Sequence, residues 1–480
     1  MKKKVALYCF FVSLCILVGS LIYLRPFWGL QDDGNYIPSA EYFLKIGLWA
    51  GIKEVVLGDL KWGMVRPYMG ALIVFLYGWT KETTFYTHIL NIAWVIGVHW
   101  YFFWAILQST MGKTFTGSSS SSRAEQIAIL CLVSLSLPWM HWYFLIPAMQ
   151  EKVVLLWAAG SIHWLSSKKA QESAPFAFLL PTLVITFLGA ISKAQFLVFG
   201  PLLVAPIIQG KYKHSLIKAA SILAGFFTAG LILKWIASQG IYTKSYGLSA
   251  VMENLRNTRA LFPLLFLAAA HCFASAFWVR KKEKRDWSEI FTLSAPAISM
   301  TAFLIIMLPW RLGGYLYAAI IPFLALMAAT WFYRLEKRLL KITATLLLCT
   351  AALTMTSWRV YKQWLPLRDL RVIIEEARAG NWPKDAKKVW NSCMEGHSHL
   401  NYYLKEFGKL SDVEVLLGTE TNIAQYYAKE SPENIYWLTQ KEWCPVVENA
   451  EKMDLDSRSL ILGGSMKSSF QLLHFRANKK

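Results

Sequence analysis

Apolar runs recur along this chain from Val5 to about Trp358, and their lengths set its class. A helix needs roughly 20 apolar residues to cross a bilayer. Runs near that length fall at 5–24, 86–108, 127–149, 151–166, 176–191, 194–209, 217–237, 261–279, 289–309, 315–333 and 342–358, which predicts about 11 spans. The run Tyr68–Trp79 is too short to cross. It reads as a juxtamembrane or re-entrant helix inside a first loop at 25–85. Beyond Trp358 polar and apolar residues mix. Strands are expected at Lys388–Cys393, Val413–Gly418, Asn434–Thr439, Ser459–Gly463 and Phe470–Phe475, with helices at His397–Lys409 and Asn422–Glu430. The expected fold class is a polytopic α-helical membrane protein over 1–358, followed by a soluble α/β domain over 359–480.

Charge sets the orientation. The 480 residues carry a net charge of +20, which on its own suggests an anionic polymer as partner. From Arg359 onward, however, 18 Lys/Arg face 16 Asp/Glu, a net of +2, so the other +18 lies in and between the apolar runs. Nucleic acid is a poor reading of that distribution. Leaving 68–79 out as a span gathers 19 Lys/Arg on one side, in clusters at Lys2–Lys4, Lys113/Arg123, Lys168/Lys169, Lys211/Lys213/Lys218, Arg280–Arg285 and Arg334–Lys341. The positive-inside rule puts that side in the cytoplasm, so the C-terminal domain is expected outside. Met1-Lys2-Lys3-Lys4 before an apolar run with no small-residue cleavage site reads as an uncleaved signal-anchor.

The seven cysteines show neither a CxxC spacing nor a Cys/His metal grouping. Cys393 and Cys444 share the terminal domain and could pair in an oxidising compartment, but spacing cannot bring them together. His397 and His399 have the look of a metal pair without further ligands. Ser118–Ser122 is a flexible linker by composition.

With this topology, ionisable residues gather at the outer membrane face. Asp32 and Asp33, the first acids in the chain, follow the first span, with Tyr36 three residues on. Arg66 precedes Pro67. Glu151 and Lys193 occupy two tight turns between spans, and Arg311 and Tyr315 a third. A carboxylate there can take the proton of an attacking hydroxyl, and Lys or Arg can neutralise a departing phosphate. Each member has a plainer reading. An acidic pair in a loop is common, and Lys193 or Arg311 can simply snorkel to the interface. Glu151 is the exception, because an acid in so short a turn lies close to hydrocarbon, and such residues are mostly functional or paired. The constellation says more than any member.

In order and spacing the constellation resembles the GT-C class of integral-membrane glycosyltransferases, and within it the aminoarabinose-transferase and protein O-mannosyltransferase branch. The residues that carry the resemblance are Asp32-Asp33, Arg66-Pro67 before a short amphipathic helix, Glu151 opening the fourth span, Lys193 in Ile-Ser-Lys-Ala, and Arg311 with Tyr315 opening a late span. It extends over roughly residues 1–335. The chain departs from the branch at Glu151, where Asp followed by Pro is usual, at Arg66, where Lys is, and at Gly313-Gly314.

The resemblance implies an inverting transfer of a sugar from a polyprenyl-phosphate donor to an acceptor hydroxyl of a lipid, glycan or protein, at the outer face of a bacterial cytoplasmic membrane. Asp32 would be the general base and Asp33 its orienting partner. Arg66, Lys193 and Arg311 would hold the donor phosphate, and Tyr36, Glu151 and Tyr315 would position substrate. No cofactor is required, although Asp32, Asp33 and Glu151 could take a divalent cation. The alternative class is a transporter or lipid flippase. Ion-coupled transport usually places ionisable groups at mid-membrane, whereas these residues sit at the boundary, and no internal repeat supports an inverted-repeat transporter.

Overall fold

A computed structural model describes residues 4–27, 32–62, 84–117, 121–147, 149–209, 215–239, 260–280, 286–307, 314–335, 338–392, 397–418, 434–440, 455–463 and 470–477, with isolated positions between them. Among these, six helices are long and apolar enough to cross a membrane: Val5–Leu24, Tyr86–Gln108, Ser215–Ile236, Leu261–Arg280, Trp287–Met307 and Leu340–Arg378. Shorter apolar helices cover Ala177–Ala190, Gln195–Gln209 and Tyr317–Tyr333.

Several apolar runs that read as single spans are broken. The run 127–149 is a helix, Arg123–Ser136, then a bend at Leu137-Pro138 and a short helix, His141–Leu145. The runs at 194–209 and 315–333 each begin as a 3-10 helix, Ala194–Phe199 and Gly314–Ile320, before the α-helices Gly200–Gln209 and Ile321–Tyr333. A 3-10 turn rises further per residue than an α turn but bonds less well, so stretches this long are uncommon.

Several buried polar groups of the bundle bond to the backbone of their own or a neighbouring helix, as a low-dielectric setting favours. Ser13, Ser134, Ser161 and Thr330 each donate to the carbonyl four residues earlier. His271, midway along its helix, accepts at Nδ1 from Trp331 Nε1 at 3.0 Å. Its Nε2 must therefore carry the proton, and it donates to the Leu293 carbonyl at 2.9 Å. That imidazole is neutral, and both its nitrogens are used. At one end of the bundle Arg334 donates to the Thr114 carbonyl at 2.9 Å, and Lys218 to those of Ala170 and Gln171 at 2.8 and 3.0 Å. Both cations neutralise C-terminal carbonyls of short helices.

The other end carries a mixed sheet of order β2-β1-β3-β5-β4. Its strands are β1 (Lys388–Asn391), β2 (Glu414–Leu417), β3 (Asn434–Gln440), β4 (Leu455–Gly463) and β5 (Phe470–Ala477). β1 pairs parallel with β2 and β3, while β5 runs antiparallel between β3 and β4. The helix His397–Glu406 forms the crossover between β1 and β2. The expected helix at Asn422–Glu430 falls largely outside the described residues.

The change in composition near residue 358 lies inside a helix. Arg338–Arg378 runs unbroken for 41 residues, and its far half presents Leu370, Ile373, Ile374 and Ala377 to one sheet face. That spacing is a continuous helical stripe. The same core takes Phe27 from the end of the first span, with Ile37 and Ala40 from a helix at Asp32–Ile46. Phe27 meets Tyr403 and Phe407 edge-on, with centroids 5.3 and 5.5 Å apart. Tyr402 donates to Glu41 at 2.6 Å. The first loop therefore contributes to the core of the sheet.

Within that loop lie two helices that the sequence reading had not foreseen, Asp32–Ile46 and Leu48–Trp62. Gly47 separates them at φ 92, a left-handed conformation open to glycine, and its amide bonds back to the Phe43 carbonyl. The short run 68–79 lies outside the described residues.

Candidate functional site

Two breaks in the bundle bring Glu151 and Lys193 together, 42 residues apart in sequence. The helix His141–Leu145 stops just before Pro147, and Glu151 opens the next helix, Glu151–Leu165. A carboxylate in a first helical turn faces unpaired amides and the positive end of the dipole. The helix Pro175–Ser192 ends at Lys193, which is fully extended at φ −166, ψ 135, before the 3-10 segment begins. Gly189 makes that reversal possible. A Cβ there would lie 2.4 Å from Phe196 Cε1, so only glycine lets the Phe196 ring fold back over the helix end.

The result is an ion pair between Lys193 Nζ and Glu151 Oε1. The carboxylate side chain is 3% exposed and the lysine 23%. The acid is thus buried and held by one cation, while the cation reaches towards the surface. Beside them is a small cavity of about 10 Å³, room for about one water, partly open to the surface. Tyr143, Glu151, Val154, Leu155, Gln195, Val198, Phe199, Ala319 and Pro322 line it. Both 3-10-initiated segments supply walls. His99 stacks edge-on behind Tyr143 at 5.1 Å.

The neighbour of Glu151 behaves quite differently. Lys152 is fully buried and bonds to Asn91 Oδ1 and the Pro147 carbonyl at 2.5 Å, and to the Ile146 carbonyl at 3.3 Å. Asn91 in turn donates to the carbonyls of Tyr143 and Phe144 at 2.9 and 3.1 Å. This network fixes the loop that carries Glu151. One helical turn before Asn91, His88 bonds to the Phe27 carbonyl, whose residue also donates its amide to Leu367. The ion pair therefore shares its end of the bundle with the start of the first loop.

Of the residues picked out in the sequence, Glu151 and Lys193 are brought into contact. Asp32, Asp33 and Tyr36 lie in the first turns of the helix Asp32–Ile46, and Tyr315 lies in the 3-10 helix Gly314–Ile320; the side chains of all four fall outside the described residues. So do Arg66, Arg311, Cys393 and Cys444. Among the described residues no group of three His, Cys, Asp or Glu side chains could hold a metal ion. Sequence reading missed Gln195, Tyr143 and the network around Lys152. The only signal for Gln195 was its place two residues after Lys193, where a buried amide has no periodic signature.

Fold and site together define a multi-pass helical membrane protein with a mixed sheet at one end and a buried acid–lysine pair at the same end. No family model and no curated protein matches the chain. Among solved structures it is similar to the crystal structure of ArnT from Cupriavidus metallidurans in the apo state, at 12% sequence identity over 99% of both chains, with a TM-score of 0.47.

Proposed function

We propose that the chain is a glycosyltransferase that moves a sugar from a polyprenyl-phosphate carrier to an acceptor hydroxyl, with inversion, at the outer face of a cytoplasmic membrane. The observation that carries this reading is the Glu151–Lys193 pair, a buried acid presenting a partly exposed cation beside a cavity. The motif order read in the sequence supports it.

In the reaction, the acceptor oxygen attacks the anomeric carbon, its proton passes to a carboxylate, and the carbon–oxygen bond to phosphate breaks with its electron pair staying on phosphate. Asp32 is the base and Asp33 its orienting partner. The donor is a phosphodiester with one negative charge, and the departing carrier phosphate gains a second. A cation beside that oxygen therefore binds the transition state more tightly than the ground state, which is the condition for catalysis.

Lys193 fits that task because Glu151 holds it in place. Without substrate the acid neutralises the lysine and stops it from snorkelling away. With substrate the phosphate shares the cation. Arg66 and Arg311 add further positive charge, and Tyr36 and Tyr315 position the donor. The donor carries its own leaving group, the polyprenyl phosphate, so the reaction as written calls on no nucleotide or redox cofactor.

The test is glycan transfer in membranes that carry Asp32→Asn, Asp33→Asn or Lys193→Ala at normal expression. Mass spectrometry would follow surface glycolipids, glycoproteins and the polyprenyl-phosphate sugar. Loss of a glycan in Asp32→Asn with accumulation of its lipid donor is the expected result. Unchanged glycans in all three variants would sink the assignment.

A further inference from the structure

The cavity beside the ion pair holds about 10 Å³, the space of about one water. A buried water makes about three hydrogen bonds, and three of the lining residues offer them. Gln195, 6% exposed in the 3-10 segment Ala194–Phe199, has a buried Oε1 with no hydrogen-bond partner. Glu151 gives its Oε1 to Lys193, which leaves Oε2 as a second acceptor. Tyr143 brings a phenol within electrostatic reach of that carboxylate.

Gln209 too has a buried, unpartnered amide oxygen, so such an atom marks nothing by itself. At Gln195 it coincides with a space of the right size and with two further polar groups. The rest of the wall, including Val154, Leu155, Val198 and Phe199, is apolar and offers a water no other side-chain bond.

The charge on Glu151 gives that water a task. The carboxylate is 3% exposed and Lys193 is its ion-pair partner. A donor phosphate that draws on Lys193 takes compensation away from a buried acid, and an uncompensated buried charge is costly. A hydrogen bond from water to Oε2 offsets part of that cost, because bonds to ionised groups are the stronger kind.

We propose that the cavity is a one-water site, in which the water donates to Gln195 Oε1 and Glu151 Oε2 and accepts from the Tyr143 hydroxyl. That water keeps Glu151 bonded while the phosphate holds Lys193. The site itself stands on the cavity and its lining, and its task rests on the glycosyltransferase reading. Gln195 and Tyr143 are then positioning residues, which act on the phosphate through Glu151 and Lys193.

Two measurements on the full-length protein in detergent test this. The first is X-ray radiolysis with mass spectrometry, which oxidises side chains beside bound water. Tyr143 is 1% exposed and should be oxidised, whereas Tyr403, 0% exposed in the core of the sheet, should not. Gln195→Leu, of similar volume, should lose the Tyr143 label. The second is affinity for undecaprenyl phosphate, read by native mass spectrometry. Gln195→Leu and Tyr143→Phe should each bind it about tenfold more weakly, the scale of one hydrogen bond to a charged group. In a Glu151→Gln background neither change should cost affinity, because no buried charge is left to serve.

A Tyr143 as silent as Tyr403, or a label that survives Gln195→Leu, would overturn the water. Affinity losses of the same size in both backgrounds would overturn its task, because a merely structural side chain acts alike in each. A wild type that binds no undecaprenyl phosphate would end the transferase reading and the task built on it, while the radiolysis decides the water separately.

Discussion

Lys152 and Lys193 stand at the same end of the bundle, yet they do opposite things. Lys152 is fully buried and bonds to Asn91 and the carbonyls of Ile146 and Pro147. It is spent on holding its own loop. Lys193 has a carboxylate partner, a partly exposed stem and a cavity beside it. Burial alone does not mark a working cation. What separates the two is whether the partners are fixed carbonyls, which cannot let go, or one acid that can share its lysine with an incoming anion.

The largest expected effect tests the closed half of that comparison. Lys152→Met removes the donor to three buried oxygens and leaves them bare, at about 1–3 kcal/mol for each oxygen that finds no other partner. Against a typical stability of about 5–15 kcal/mol, such a loss removes much of the folded population. Size-exclusion retention after heating should show aggregation well below the wild-type temperature. A variant that melts like the wild type would show that the network is decoration.

Lys193 should separate activity from folding. Its replacement by Ala should lower transfer by about 100- to 1000-fold, the scale seen when one charge-stabilising donor is lost. Stability should suffer less than in Lys152→Met, because water can reach Glu151 through the open side of the cavity. Glu151→Gln should be milder in both respects, since the partly exposed Lys193 can reach solvent. The order of the melting temperatures, with Glu151→Gln above Lys193→Ala and Lys152→Met lowest, checks the asymmetry directly. An inverted order would mean that the lysine, not the acid, is the member that needs its partner.

Sequence reading reached some of this and not the rest, for identifiable reasons. Glu151 and Lys193 were visible because each interrupts an otherwise apolar stretch, and an ion at such a boundary demands an explanation. The strands were visible because alternation survives in short segments: expectations at 388–393, 413–418, 434–439, 459–463 and 470–475 meet strands at 388–391, 414–417, 434–440, 455–463 and 470–477.

The helices over 32–62 were hidden, because their mixed composition has no strong stripe and their packing partner lies more than 300 residues away in sequence. The continuity of Arg338–Arg378 was hidden too. Its outer face turns polar while its buried stripe carries on, so a reading by composition stops where the helix does not. Lys152 read as half of a Glu-Lys dipeptide, and only the fold shows that adjacent residues serve different ends.

The smallest effect concerns the seam that lets the sheet bear on the first loop. Tyr402, on the helix between β1 and β2, donates at 2.6 Å to Glu41, nine residues on from the start of the helix Asp32–Ile46. A hydrogen bond to a carboxylate contributes about 1.5–3 kcal/mol where both groups are well buried, and less here, since the pair is only part-buried. Tyr402→Phe should therefore lower the melting temperature by only a few degrees. Its value lies in the second readout. If the sheet domain sets the pose of the helix that begins at Asp32, removing this bond should lower kcat by a few fold and leave donor KM unchanged, because Lys193 is untouched. Glu41→Gln should match it, and the double variant should be no worse than either single, the sign of one shared interaction. Additive losses would mean that Glu41 and Tyr402 act separately, and a change confined to KM would place the sheet on the donor side of the reaction.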